Sequence, residues 1–181
     1  MSWMNEIGGL LQQFSGANPA NPPANVEDHF DRAAQALPRS ELIHGITAAF
    51  QSGQTPPFAQ MISQLFGGSN GQQQAGALTA LLTAAGPALL SQLTSAGGGL
   101  GNLASIFSRS AGTVTPTVTP EQASQVSPEE VHDLAAKVEK KDPSVVERMS
   151  SVYAAHPGLF KTLGGAALTI ALAKIAERQR G

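Results

Sequence analysis

No cysteine occurs among the 181 residues, which excludes disulfides, thiolate nucleophiles and thiolate metal ligands. Aromatic residues are scarce at 5%, with one Trp and one Tyr, and much of the 41% hydrophobic content is alanine. Alanine buries little area, so a modest core is expected. Charge of one sign is missing too: the formal net charge is −2 and the pI about 6.1. Such a balance offers no basic surface to a nucleic acid. The opening residues, MSWMNEIGGLL, have no basic region of the kind that starts a signal peptide and carry Glu6 instead. The expected location is the cytoplasm.

Chemistry-bearing patterns are equally thin. The glycine-rich run Gly97 to Gly101 continues into Asn-Leu-Ala-Ser without a phosphate-binding lysine, and reads as a hinge. The four histidines are scattered. Asp28, His29 and Asp31 are close in sequence, but neighbouring helical positions face different ways and do not converge on a metal. His132 beside Asp133 reads as solvated helix surface, His44 as a partly buried helix residue, and His156 as a turn residue before Pro157. The sequence therefore assigns no catalytic, cofactor-binding or metal-binding residue, and the expectation is a protein without cofactor that is not an enzyme.

What is present is a pattern of charge. Between Glu41 and Arg109 there is no Lys, Arg, Asp or Glu, whereas from Glu121 onward eight acidic and eight basic residues crowd together. Two linkers accompany that change: Gly16 to Ala24 (GANPANPPA) and Thr113 to Pro120 (TVTPTVTP), both rich in residues that favour extended backbone. Four segments follow. Residues 1–24 form an amphipathic arm with its Pro/Asn-rich linker, and 25–110 an uncharged Gln/Gly/Ala-rich helical bundle. Residues 111–120 form a Thr/Pro linker, and 121–181 a C-terminal helical unit.

Helical periodicity dominates throughout, and the expected fold is all-α. It is an irregular helical bundle plus a C-terminal helical unit built around one long apolar helix. Ser2 to Phe14 carries Trp3, Ile7, Leu10 or Leu11, and Phe14 on one stripe. Asn25 is expected to cap a helix from Val26 to Ala36, with Val26, Phe30, Ala33 and Leu37 facing inward. Phe58, Met61, Ile62, Leu65 and Phe66 mark another buried face, and Leu78, Leu81 and Leu82 a further one. Ser127-Pro128-Glu129-Glu130 spells a capping box with proline in the first turn.

The organising stretch is His156 to Gly181, the longest uninterrupted helical signal. Leu159, Phe160, Leu163, Ala167 and Ile170 fall on one side of its wheel, and Leu168, Leu172 and Ile175 on nearly the opposite side. A helix apolar all round must be buried, and the amphipathic helices starting at Ser127 and Asp142 are expected to clasp it. Gly165, Thr169 and Ala173 form a small-residue stripe that admits a second helix closely. Its uncharged segment falls short of the roughly 20 residues of a bilayer span, so burial in protein is preferred. Arg178, beyond the apolar section, is expected to be exposed and tolerant of substitution.

The Gly/Leu-rich opening, the phrase Gln54-Thr55-Pro56-Pro57-Phe58, and the ending His156-Pro157-Gly158-Leu159 with Leu163-Gly164-Gly165-Ala166-Ala167-Leu168 resemble the YidB-like family. The likeness covers helical parts of both halves, carries no catalytic motif, and departs from the small three-helix domain of typical members at the C-terminus. It implies a bacterial, mostly helical protein and no known activity.

The functional expectation is a non-enzymatic helical interaction or assembly protein whose partner is another copy of itself. The residues marked for contact are Trp3, Ile7, Phe14, Gly165, Leu168, Thr169, Leu172 and Ala173. The alternative is a protein bound peripherally to a membrane surface through the arm, the last helix, or both. Against the arm in that role, its polar face carries no Lys or Arg.

Overall fold

A computed structural model of the chain describes residues 2–95, 101–110 and 117–180, with side chains described except at 2–4, 93, 94, 101, 107 and 110. Among these residues every regular element is helical. In order they are α1 (Ser2–Phe14), α2 (Val26–Ala36), α3 (Arg39–Phe50), α4 (Phe58–Gly67), α5 (Gly71–Ser95) and α6 (Gly101–Ser110). Then come α7 (Pro120–Ala123), α8 (Pro128–Lys141), α9 (Val145–Ala154), α10 (Pro157–Phe160), a 3₁₀ turn (Lys161–Leu163) and α11 (Gly165–Arg180). The fold is an all-α irregular bundle with a C-terminal helical segment that includes a long apolar helix.

The chain packs as two units: Met1–Pro57 together with Tyr153–Gly181, and Phe58–Val152. The boundaries read from composition, at 24, 110 and 120, do not coincide with this division. Composition is read along the chain, whereas the first unit is made from its two ends.

In the first unit α11 is the central element, packed on α3, α1 and α2. Leu168, Leu172 and Ile175 are wholly buried, and Ile170 on the other side of the wheel is buried too, at 7% exposure; burial all round is what the sequence required. Two features of this helix differ from the expectation. It does not begin at Pro157: the chain makes the short α10 and the 3₁₀ turn, then breaks at Gly164, whose φ of 96° is a left-handed value that favours glycine. Nor do the helices starting near Ser127 and Asp142 supply its clasp. Its partners are α1–α3, and α8 packs on α4 and α5. The reason is steric. A Cβ at Gly45 of α3 would lie 2.8 Å from the Ala171 carbonyl oxygen and 2.8 Å from Ile175, so the missing side chain lets the α3 and α11 backbones close together. Gly165 does the same at the helix start, where a Cβ would come within 2.7 Å of Pro22. The Pro/Asn stretch expected as a free linker is thus docked at Pro22.

In the second unit the capping box is built as written. Ser127 Oγ accepts from the Glu130 N–H at 3.2 Å, and the Glu130 carboxylate accepts from the Ser127 N–H at 3.0 Å. Thr119 and Gln122 make an equivalent reciprocal cap for α7. The same Glu130 also accepts from the Asn102 N–H at 3.3 Å, so one buried carboxylate serves the first turns of both α8 and α6. The Leu78, Leu81 and Leu82 face and the Phe58, Met61, Ile62, Leu65 and Phe66 face are buried. α5 is broken at Gly86, with φ 72°. The Lys141 ammonium donates to the Ala85 carbonyl oxygen at 2.6 Å, which satisfies a helix-end acceptor left open there. Val118, at the end of the Thr/Pro stretch, is buried, and its N–H donates to Thr79 Oγ1 at 3.3 Å. The rest of that stretch at 111–116, and the glycine joint at 96–100, lie outside the described residues. Asn25 precedes α2 but makes no side-chain cap; its carbonyl accepts from the His29 N–H instead.

Candidate functional site

Among the described side chains of α1, the buried ones lie in its C-terminal half. Leu10, Leu11 and Phe14 are buried, and Phe14 meets the His29 ring edge-on with centroids 5.4 Å apart. Toward the N-terminus Ile7 is half-buried, and a Cβ at Gly8 or Gly9 would meet nothing within 4 Å. The stripe read from the sequence is therefore an intramolecular anchor for this half of α1. Trp3 lies outside the residues whose side chains are described.

Two hollows flank α1 within the first unit. One, of about 390 Å³, lies between α1, the turn from α2 to α3, and the last turn of α11. Ile7, Leu11, Leu37 and Ala176 form its apolar wall, and Gln12, Gln179 and Arg180 stand at its rim. The other, of about 580 Å³, lies toward α2 and carries both signs of charge, with Glu6 on one side and Arg32 and His29 on the other. The His29 Nδ1 is buried with no hydrogen-bond partner among the described residues.

The remaining contact residues are used inside the first unit. Leu168, Thr169 and Leu172 are each 0% exposed, and the Thr169 hydroxyl donates to the Gly165 carbonyl oxygen at 2.8 Å. Gly165 and Ala173 are half-buried, Gly165 against Pro22 and Val26. Gly165 thus faces the chain's own N-terminal segment and Thr169 is buried, so these two positions of the small-residue stripe are not an open docking face. Arg178 is not idle either. Its guanidinium Nε lies 3.3 Å from Glu41 Oε1, and the Glu41 side chain is only 15% exposed. Sequence separation hid that pair, since α3 and α11 meet only in the fold.

Against the expectation of no catalytic motif, the chain contains a string matching G-x-S-x-G, Gly67-Gly68-Ser69-Asn70-Gly71. In hydrolases the pattern requires a strand-to-helix turn that exposes the serine. Here it joins α4 to α5, and the half-buried Ser69 donates its hydroxyl to the Leu65 carbonyl oxygen at 2.5 Å. It is a helix-end cap. Among the described residues no group of three His, Asp or Glu side chains converges as a metal site. The His132 and Asp133 pair, 3.5 Å apart, is exposed on α8.

By length and composition, α5 includes a segment able to cross a membrane, Gly71–Gln92, rather than the last helix, and 44% of the most apolar 18 residues within it are buried. A core helix of a soluble protein meets the same criterion, and Gly86-Pro87 interrupts this one. α11, at 16 residues, is shorter than a span.

No family model, no curated protein and no solved structure matches the chain.

Proposed function

We propose that the protein is a non-enzymatic helical interaction protein that associates with copies of itself through the uncharged face of α5. One observation carries this reading. Less than half of the most apolar 18 residues within Gly71–Gln92 are buried, and the whole stretch between Glu41 and Arg109 has no ionisable Lys, Arg, Asp or Glu. Gln72, Gly76, Thr83, Pro87 and Ala88 are exposed along α5. Monomer surfaces ordinarily intersperse charge, which opposes association; a neutral helix face of small side chains leaves close helix–helix approach unopposed. The contact residues thus move from the N-terminal arm and last helix to α5. A bacterial, cytoplasmic setting and kinship with YidB-like proteins are proposals of the same standing, resting on the residues quoted for them.

Light scattering on the full chain tests the association. A mass that rises with concentration into the high micromolar range supports it, and a strict monomer there overturns it. The second reading, peripheral membrane attachment, is favoured by the length and apolar composition of Gly71–Gln92. Flotation with neutral and anionic vesicles separates the two: protein that stays in the soluble fraction with both excludes the membrane reading.

A further inference from the structure

The smaller hollow beside α1 has an apolar wall and, among the described residues that line it, one cation, Arg180. We propose that it binds a medium-chain carboxylate amphiphile. The acyl chain would lie on Ile7, Leu11, Leu37 and Ala176, and the carboxylate on Arg180. The first support is charge. Along α11, Lys174 is paired with Glu177 at 2.8 Å and Arg178 with Glu41 at 3.3 Å. Arg180 has no ion-pair partner among the described residues, and no acidic side chain lines this hollow. A guanidinium fork matches a carboxylate in two parallel hydrogen bonds, and the Gln12 and Gln179 amides at the same rim supply further donors.

The second support is size. A hollow of about 390 Å³ sits at the lower end of the roughly 300–1,000 Å³ of ligand pockets, which suits a short or medium chain and not a two-chain lipid. The third is the wall that closes it. α1 presents Gly8 without a side chain to this hollow, and a Cβ there would meet nothing within 4 Å, so the backbone leaves the wall free for an acyl chain while Leu11 and Phe14 anchor the helix. α3 begins beside the rim without a side-chain cap, and its first N–H groups oppose the partial negative charge at the end of α11. The larger hollow on the other face of α1 mixes Glu6 with Arg32 and does not select an anion. This inference concerns the first unit and is independent of association through α5.

The test is calorimetric titration of the full chain with octanoate and octyltrimethylammonium, each below its micelle-forming concentration, and with 1-octanol below its solubility limit. Wild type is compared with Arg180→Gln and Gly8→Phe, after circular dichroism has established equal helix content. Octanoate should bind saturably at one site, and Arg180→Gln should weaken it about tenfold, the loss expected for one charge-assisted contact. 1-Octanol should bind wild type and Arg180→Gln alike, and Gly8→Phe, which places a ring in the hollow, should abolish binding of both. Absence of saturable octanoate binding overturns the proposal. So does equal octanoate affinity in Arg180→Gln, or octyltrimethylammonium binding as tight as octanoate.

Discussion

Tyr153 holds one of the buried polar atoms in the first unit that lack a hydrogen-bond partner among the described residues. The side chain is 1% exposed, its ring meets Phe50 edge-on at 6.3 Å, and its hydroxyl has no hydrogen-bond partner among the described residues. Burial pushes its ionisation well above the ordinary value of 10.0. Removing an unpaired buried hydroxyl while keeping the ring should help the fold. Tyr153→Phe should raise stability in urea unfolding by about 1–2 kcal/mol at neutral pH. The pH dependence follows from the same burial. The folded phenol stays neutral while the unfolded one ionises near pH 10, so its contribution is complete below about pH 10 and is lost as pH rises beyond that. Lys161 acts in the same direction. Its hydrogen bond to Asp31 at 2.7 Å raises the ammonium above its ordinary 10.5, so that support is present below about pH 10.5 and disappears as pH climbs through the raised value. Melting temperatures from pH 8 to about 11 should therefore fall in wild type and fall less steeply in Tyr153→Phe. Equal slopes would mean that Tyr153 is solvated in the folded chain.

At the scale of elements, two glycines in helices should respond oppositely to the same change. At Gly45 an added methyl meets the α11 backbone at 2.8 Å, so Gly45→Ala should cost about 1–3 kcal/mol through overpacking. At Gly8 nothing lies within 4 Å, and Gly8→Ala should add about 0.5–1 kcal/mol from helix propensity alone. Thermal unfolding of the two variants checks the sign of each; a stabilising Gly45→Ala would contradict the close approach of α3 and α11. The contrast also marks what was readable beforehand. The Ser127–Glu130 cap and the Phe58 to Phe66 face depend on residues a few positions apart, and local periodicity exposes them. The Gly45 contact joins segments more than a hundred residues apart, and no local pattern contains it. The break at Gly164, with φ 96°, was not legible, because glycine accepts helical and left-handed backbone alike and the surrounding pattern reads as one helix. In the candidate site, the α1 stripe of Ile7, Leu11 and Phe14 was legible. The part that Leu37, Ala176 and Arg180 add to the hollow was not, since it depends on which helix ends meet.

At the scale of the molecule, the two ends of the chain build one packing unit and the middle builds the other. A fragment cut at the compositional boundary, residues 121–181, keeps α11 but loses α1, α2 and α3, against which it packs. Its apolar faces would then meet water, so circular dichroism should find α11 largely unfolded in that fragment; native helix content would contradict the interleaved packing. The functional account rests on the other unit and on the neutral face of α5. Gly76 is exposed there with nothing within 4 Å of an added Cβ, so Gly76→Lys should leave the fold intact while placing a charge in the middle of that face. Sedimentation equilibrium of wild type and Gly76→Lys, from low to high micromolar concentration, is the most direct measurement. The expected result is reversible self-association of wild type and a monomeric Gly76→Lys with unchanged helix content and melting temperature; a wild type that stays monomeric, or a Gly76→Lys that associates equally well, would contradict the account.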